Sequence, residues 1–157
     1  MKRNMILIGS LATLMLAGTT VQADDGRLAA DRLDEALKQG TTFGFQHFQE
    51  IEAKERDTIE IEGWLDETWQ ADVRLSLENG ESLEEQRNRR DGGAWGMNEE
   101  DVRLAMQAAV AEGLVEFEEI QVDRDGRVEI EGIDADGREI EVRTQQGESG
   151  LVEVERD

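Results

Sequence analysis

Two stretches of the chain carry residue types suited to chemistry. Asp123-Arg124-Asp125-Gly126 and Asp134-Ala135-Asp136-Gly137 set alternating carboxylates ahead of a glycine, as calcium loops do. An EF-hand loop, however, needs its glycine at the sixth position and a bidentate glutamate at the twelfth. Both stretches put glycine fourth and have no suitably placed glutamate, so they read as hairpin turns and no metal site is assigned. Nucleophilic catalysis lacks its parts. There is no cysteine, and a Ser–His–acid triad could be built only on His47, the single histidine, which reads as an ordinary, partly exposed residue at a strand entrance. Carboxylate pairs for glycoside hydrolysis cannot be singled out among 38 Asp and Glu. No catalytic residue and no cofactor are assigned, and the chain reads as a non-enzyme.

What remains is binding. The formal net charge is −21, spread along the chain and not gathered in a tail. A protein this negative is repelled by phosphates, which excludes nucleic acid and an anionic membrane surface as partners. The same composition suits a salty medium, where the Debye length shrinks from about 30 Å at 0.01 M to about 3 Å at 1 M and self-repulsion is screened. Carboxylates on strand faces, Glu60, Glu62, Glu129 and Glu131, are candidate partner-binding residues, with Trp64 placed among the first two by strand parity. Arg89, Arg90 and Trp95 are a second candidate patch, because arginine and tryptophan are enriched at interface hot spots. They can equally be linker residues, the arginines pairing with acidic sheet surfaces and Trp95 filling a seam between halves.

The elements that position these residues are legible from a repeat. Ile59-Glu60-Ile61-Glu62-Gly63 returns as Val128-Glu129-Ile130-Glu131-Gly132, 69 positions on (59 to 128). At the same offset Phe48 falls on Phe117, Glu50 on Glu119, Ile51 on Ile120, Val73 on Val142 and Arg74 on Arg143. A duplicated unit is the first conclusion to draw from such self-similarity. Each unit opens with a helix. Ala29, Leu33, Ala36 and Leu37 share one helical face, with Gly40 available as the residue beyond the end. In the second unit Asn98 caps, Asp101 completes the cap, Met97 and Val102 staple, and Val102, Ala105, Met106, Ala109 and Val110 form the stripe.

Beyond each helix the apolar period changes to two. Ile120, Val122, Val128, Ile130, Ile140, Val142, Val152 and Val154 are predicted to face inward, separated by type I′ turns at Asp125-Gly126 and Asp136-Gly137 and a third turn at 147–150. In the first unit Ile51, Ala53, Ile59, Ile61, Ala71, Val73, Leu75, Leu77 and Leu83 do the same, Trp69 with them, while Trp64 faces solvent. The predicted fold is α+β: two tandem repeats, each a helix packed on a four-stranded antiparallel meander sheet.

Residues 1–23 read as a secretory signal peptide, with Lys2 and Arg3 ahead of an apolar run at 5–17 and Val21-Gln22-Ala23 before the cleavage point. The run is shorter than the ~20 residues of a membrane span, and no cysteine follows it to carry a lipid anchor. The boundaries are then 1–23 signal peptide, 24–86 first repeat, 87–97 linker and 98–157 second repeat, in the periplasm or secreted. Units of this size without disulfides are marginal alone, so the halves are expected to complete each other's cores.

A helix followed by Phe117-Glu118-Glu119-Ile120, Val128 to Gly132, the Asp134 to Gly137 turn and Ile140-Glu141-Val142-Arg143 resembles the PepSY domain of exported bacterial proteins. In tandem, the plan is also similar to β-lactamase inhibitory protein, whose paired sheets form a concave binding face. The resemblance implies protein binding outside the cytoplasm, with a peptidase or another exported protein as partner and regulation or inhibition as the effect. The alternative is an acidic protein that binds or buffers divalent cations without a dedicated partner. Partner identity and oligomeric state are left open.

Overall fold

The computed structural model describes residues 26–148 and 152–157. The leader expected at 1–23 lies outside them, as does part of the turn expected at 147–150. The elements are β1 (Leu28–Ala29), a 3₁₀ turn (Ala30–Arg32), α1 (Leu33–Phe43), β2 (His47–Lys54), β3 (Thr58–Trp64), β4 (Trp69–Ser76), β5 (Ser82–Arg89), α2 (Glu99–Ala111), β6 (Leu114–Val122), β7 (Arg127–Asp134), β8 (Glu139–Gln145) and β9 (Glu153–Arg156). All nine strands among the described residues belong to one antiparallel sheet, in the order β5-β4-β3-β2-β6-β7-β8-β9, with β1 also paired to β6. The fold is α+β, one large antiparallel sheet with two helices. The two separate four-stranded sheets expected from the sequence are instead continuous, because β2 and β6 pair through Glu50, Ile51 and Glu52 against Gln121, Ile120 and Glu119.

Both helices lie on one face and share a single core with the inward strand residues. The buried positions of α1 are Leu33, Ala36, Leu37 and Gly40, and those of α2 are Val102, Ala105, Met106 and Ala109, each 69 positions further on. Gly40 does not end its helix as expected. It sits inside α1, where a side chain would come within 2.8 Å of Ile61 and Phe48, and the helix runs on to the cap residue Gly44. The cap of α2 forms as predicted, Asn98 accepting from the Asp101 backbone N–H at 2.8 Å while the Asp101 carboxylate accepts from that of Asn98 at 3.2 Å.

The seam between the halves is built reciprocally. Leu28, just ahead of α1, pairs with Phe117 of β6, and Met97, just ahead of α2, pairs with Phe48 of β2. Both members of the second pair lie 69 positions from their counterparts in the first, as Ile120 lies from the Ile51 it pairs with. Each half thus lends the stretch before its helix to the other half. The helix layer is joined by Arg103, whose Nε donates to Asp34 at 2.9 Å.

Matching irregularities explain the repeat's fixed residues. The ladder between β2 and β3 shifts register at Phe48/Glu50, and that between β6 and β7 shifts at Phe117/Glu119. Each bulge drives a carbonyl toward the neighbouring strand, His47 toward Gly63 and Glu116 toward Gly132, and a Cβ at either glycine would collide with that oxygen. The Asp-Gly turns differ from expectation in type. Only the glycines, Gly126 (φ 80°) and Gly137 (φ 76°), take positive φ, while Asp125 and Asp136 do not. The loops are one residue longer than type I′ allows, and the Asp123 and Asp134 carboxylates hold them by accepting backbone N–H groups at 2.8–3.1 Å.

Candidate functional site

Among the described residues, the face of the sheet opposite the helices carries no second layer, and period-two alternation lines it with the polar positions of its strands. Register fixes which of these residues meet. Glu60 opposes Glu52, Glu52 opposes Glu119, Glu119 opposes Glu131, Glu131 opposes Glu141 and Glu141 opposes Glu155. Carboxylates therefore stand side by side across β3, β2, β6, β7, β8 and β9, at intervals of about 5 Å. A second row runs Asp72, Glu62, Glu50, Gln121, Glu129 and Arg143. Like charges directly opposite destabilise a sheet, so this arrangement opposes folding unless cations relieve it.

The few cations on this face relieve it locally. Lys54 pairs with Glu52 and reaches Glu60 at 3.9 Å, and Arg143 lies against Glu141 and within 3.2 Å of Glu129 and 3.4 Å of Glu155. At the seam they do not suffice. Burial, aided by the charges of Glu119, Glu62, Glu52 and Glu60, pushes the Glu50 carboxyl up to about 7. Partial burial and neighbouring carboxylates also hold Glu62, Glu119, Glu131 and Glu141 above the usual carboxylate range. A cleft of about 530 Å³ at the seam is lined by Glu52, Lys54, Arg74, Glu118, Glu119 and Glu131 among others. At β7 and β8, Glu129, Glu131 and Glu141 each present an oxygen within 4.8 Å of the others, close enough to share a cation.

The structure places Glu60, Glu62, Glu129 and Glu131 on this one surface, half-buried. The two acidic pairs predicted in separate halves are joined by Glu52 and Glu119 between them. Trp64 requires a correction. It shares the parity of Glu62 but is only 2% exposed, whereas Trp69, expected in the core, is 42% exposed. A polar layer lies over this end of the acidic face: Arg90 Nε donates to Gln70 at 3.1 Å, and Gln70 Nε2 donates to Glu62 and to Gln49, both at 2.6 Å. Gln70 is the cross-strand neighbour of Trp64, and the indole N–H of Trp64 is buried without a partner among the described residues. Trp69 pairs with Arg89 near the edge of the sheet, on the helix side, where it is only partly covered. Leu83 and Val110, also expected inside, are 50% and 48% exposed.

The second candidate patch is dispersed. Arg89 ends β5 rather than lying in a linker, Arg90 turns to Gln70, and Trp95 packs against the core with the Arg124 guanidinium 5.1 Å above its ring. Glu50, Glu52, Glu119 and Glu141 were not singled out from the sequence. The signal for two of them was present, since Glu50 and Glu119 are identical at the 69-residue offset, but their meeting depends on the β2–β6 pairing.

No helix among the described residues is long and apolar enough to cross a membrane. No family model and no curated protein matches the chain. Among solved structures, the fold is similar to the crystal structure of a Clostridium difficile 630 protein assigned provisionally as a lipoprotein, at 16% identity and a TM-score of 0.48, over 83% of this chain and 93% of that one. At that distance the likeness bears on no functional question.

Proposed function

We propose that the chain is an exported, non-enzymatic binding module, similar to tandem PepSY domains, that takes a basic protein segment on the uncovered face of its sheet. The observation that carries this is the row of carboxylates from Glu60 through Glu52, Glu119, Glu131 and Glu141 to Glu155. Such a row costs folding energy that a cationic ligand returns, so binding stabilises the folded state by mass action. A lysine- or arginine-rich stretch laid across the strands would meet a carboxylate at each strand, and a basic exported protein such as a peptidase is the expected source. Duplication of one helix-plus-four-strand unit is supported by the reciprocal Leu28–Phe117 and Met97–Phe48 pairings and by the matching bulges. Export to the periplasm or medium rests on the leader at 1–23, and the acid excess also fits a salt-adapted protein.

Calorimetric titration with a lysine-rich peptide at moderate salt tests the proposal. Affinity is expected to fall with ionic strength, and to fall by tenfold or more, about 1.4 kcal/mol, in a Glu52→Gln/Glu119→Gln/Glu131→Gln variant that melts no lower than the parent. Equal binding by the variant, or equal binding of a neutral peptide of the same length, refutes it. The Glu129–Glu131–Glu141 cluster favours a second reading, divalent cation binding without a protein partner. Arg143 already answers two of these carboxylates, so a cation there must displace it. Calcium heat lost in Glu141→Gln, with no peptide binding in either protein, would favour that second reading.

A further inference from the structure

We propose that the free edge of β5 is the interface of a two-fold symmetric dimer, in which β5 pairs antiparallel with β5 of a second copy about an axis at Gln86. β5 closes one end of the sheet, is eight residues long and is exposed along almost its whole length. Long unpaired edges are templates for another strand, and natural proteins usually shorten, bulge or cover them. The opposite edge strand, β9, has only four residues.

Backbone direction and charge select the register together. The Arg90 N–H donates to Thr68 at 2.9 Å, so residues 90, 88, 86 and 84 turn their hydrogen-bonding groups toward β4. Glu85, Arg87 and Arg89 therefore turn theirs outward, free for a new strand. An antiparallel partner must match outward residues with outward residues. Centring the axis on Glu85 or on Arg87 sets like charges directly opposite each other. Centring it on Gln86 instead sets Glu85 against Arg87 twice over, with Glu84 against Asn88, all within the stretch that pairs with β4 without a register shift.

This stretch suits self-pairing in a protein otherwise too negative to associate. Glu84, Glu85, Arg87 and Arg89 sum to zero charge, acids leading and cations following, so antiparallel pairing sets acid against base. On the helix side Trp69 stands beside Arg89 at the end of the new seam, near where the second copy brings the register shift of its own β5. Trp69 (42% exposed) and Leu83 (50% exposed) are the two large apolar residues the first half leaves exposed among the described residues, and both lie close to the proposed seam. Such an interface is isologous, so both copies complete it at once and no open chain of copies forms.

Sedimentation equilibrium of the intact protein in about 0.5 M NaCl, where repulsion between two acidic copies is screened over a few ångströms, tests this. The parent is expected to show a monomer–dimer equilibrium that shifts toward monomer at low salt. Arg87→Glu and Glu85→Arg each set like charges in both symmetric positions and are expected to weaken the dimer by about tenfold or more. Mixed together, these two variants complement each other, and a heterodimer is expected to form at least as well as the parent dimer. Thermal melts of each variant separate misfolding from lost association. A parent that stays monomeric at every concentration overturns the proposal, and so does a dimer indifferent to both reversals or a mixture that fails to pair.

Discussion

The two halves of the sheet use the same frame and finish it differently. Phe48 and Phe117, Gly63 and Gly132, Ile51 and Ile120 occupy matching positions at the bulges and the seam, and all of them are buried or covered by backbone. The halves diverge most visibly at the two ends of the sheet. The first half ends in a long edge strand with arginines, beside the exposed Trp69 of β4, and the second in a short strand among glutamates. Residues kept between the halves are of two kinds: Phe48/Phe117, Gly63/Gly132 and Ile51/Ile120 serve packing, while Glu50/Glu119 and Glu62/Glu131 keep the acidic face in both halves.

That division can be broken most sharply at the glycines. Gly63→Ala and Gly132→Ala each force a Cβ against a carbonyl oxygen that the bulge cannot withdraw, and each is expected to cost about 3 kcal/mol or more. Comparable losses in chemical denaturation would show that both halves depend on the same device. A large loss in one half only would show that the matching sequence conceals unequal structure.

The tryptophans provide an effect of comparable size. Trp64→Ala empties a buried site and is expected to cost about 3–5 kcal/mol, while Trp69→Ala removes an exposed ring and should stay within about 1 kcal/mol. The opposite ranking in thermal melts would restore the sequence-based assignment of the two rings.

The smallest effect is the pH dependence of the seam. Glu50 titrates at about 7 in the folded protein, against an ordinary value of 4.5. Folding thus favours its protonated form, so its contribution is present at low pH and lost as pH rises through about 7. The raised pKa values of Glu62, Glu119, Glu131 and Glu141 act in the same direction. Asp134 acts oppositely, held low by backbone and Arg138 hydrogen bonds, but its contribution is lost only below the ordinary 3.8. The melting temperature is expected to rise by a few degrees from pH 8 to pH 5. Glu50→Gln should raise it at pH 8 and flatten the profile. Added NaCl at pH 8 should raise it as well, since the same repulsion is screened. A melting temperature that falls on acidification would mean that the carboxylates are better compensated than their register implies.

Much of this fold was legible because helical stripes and strand alternation are local signals. Leu33, Ala36 and Leu37, their counterparts Val102, Ala105 and Met106, and most inward strand residues lie where periodicity puts them. The failures mark places where a distant segment decides. Parity gave Trp64 the correct side of the sheet, but Arg90 and Gln70 build a polar layer at that end which no local pattern announces. Trp69 keeps the alternation and Leu83 sits at a register shift, and both lie near an edge of the sheet that leaves them about half-exposed. Glycine at position 40 resembles a terminator until the Ile61 and Phe48 side chains beneath it are known. The acidic residues of the site were visible one strand at a time. Their union in a single row required the β2–β6 pairing, which joins parts of the chain about seventy residues apart.

The reciprocal lending of strands at the seam also has a bearing on how the protein comes into being. Leu28 is synthesised early, but its partner Phe117 follows 89 positions later (28 to 117), so the first half stays incomplete through most of translation. Contacts of such long range delay folding, because the loop must close before they can be made. The meander from β2 to β5 pairs within itself, but the chain is expected to gain its full stability only once β6 is available to close the seam.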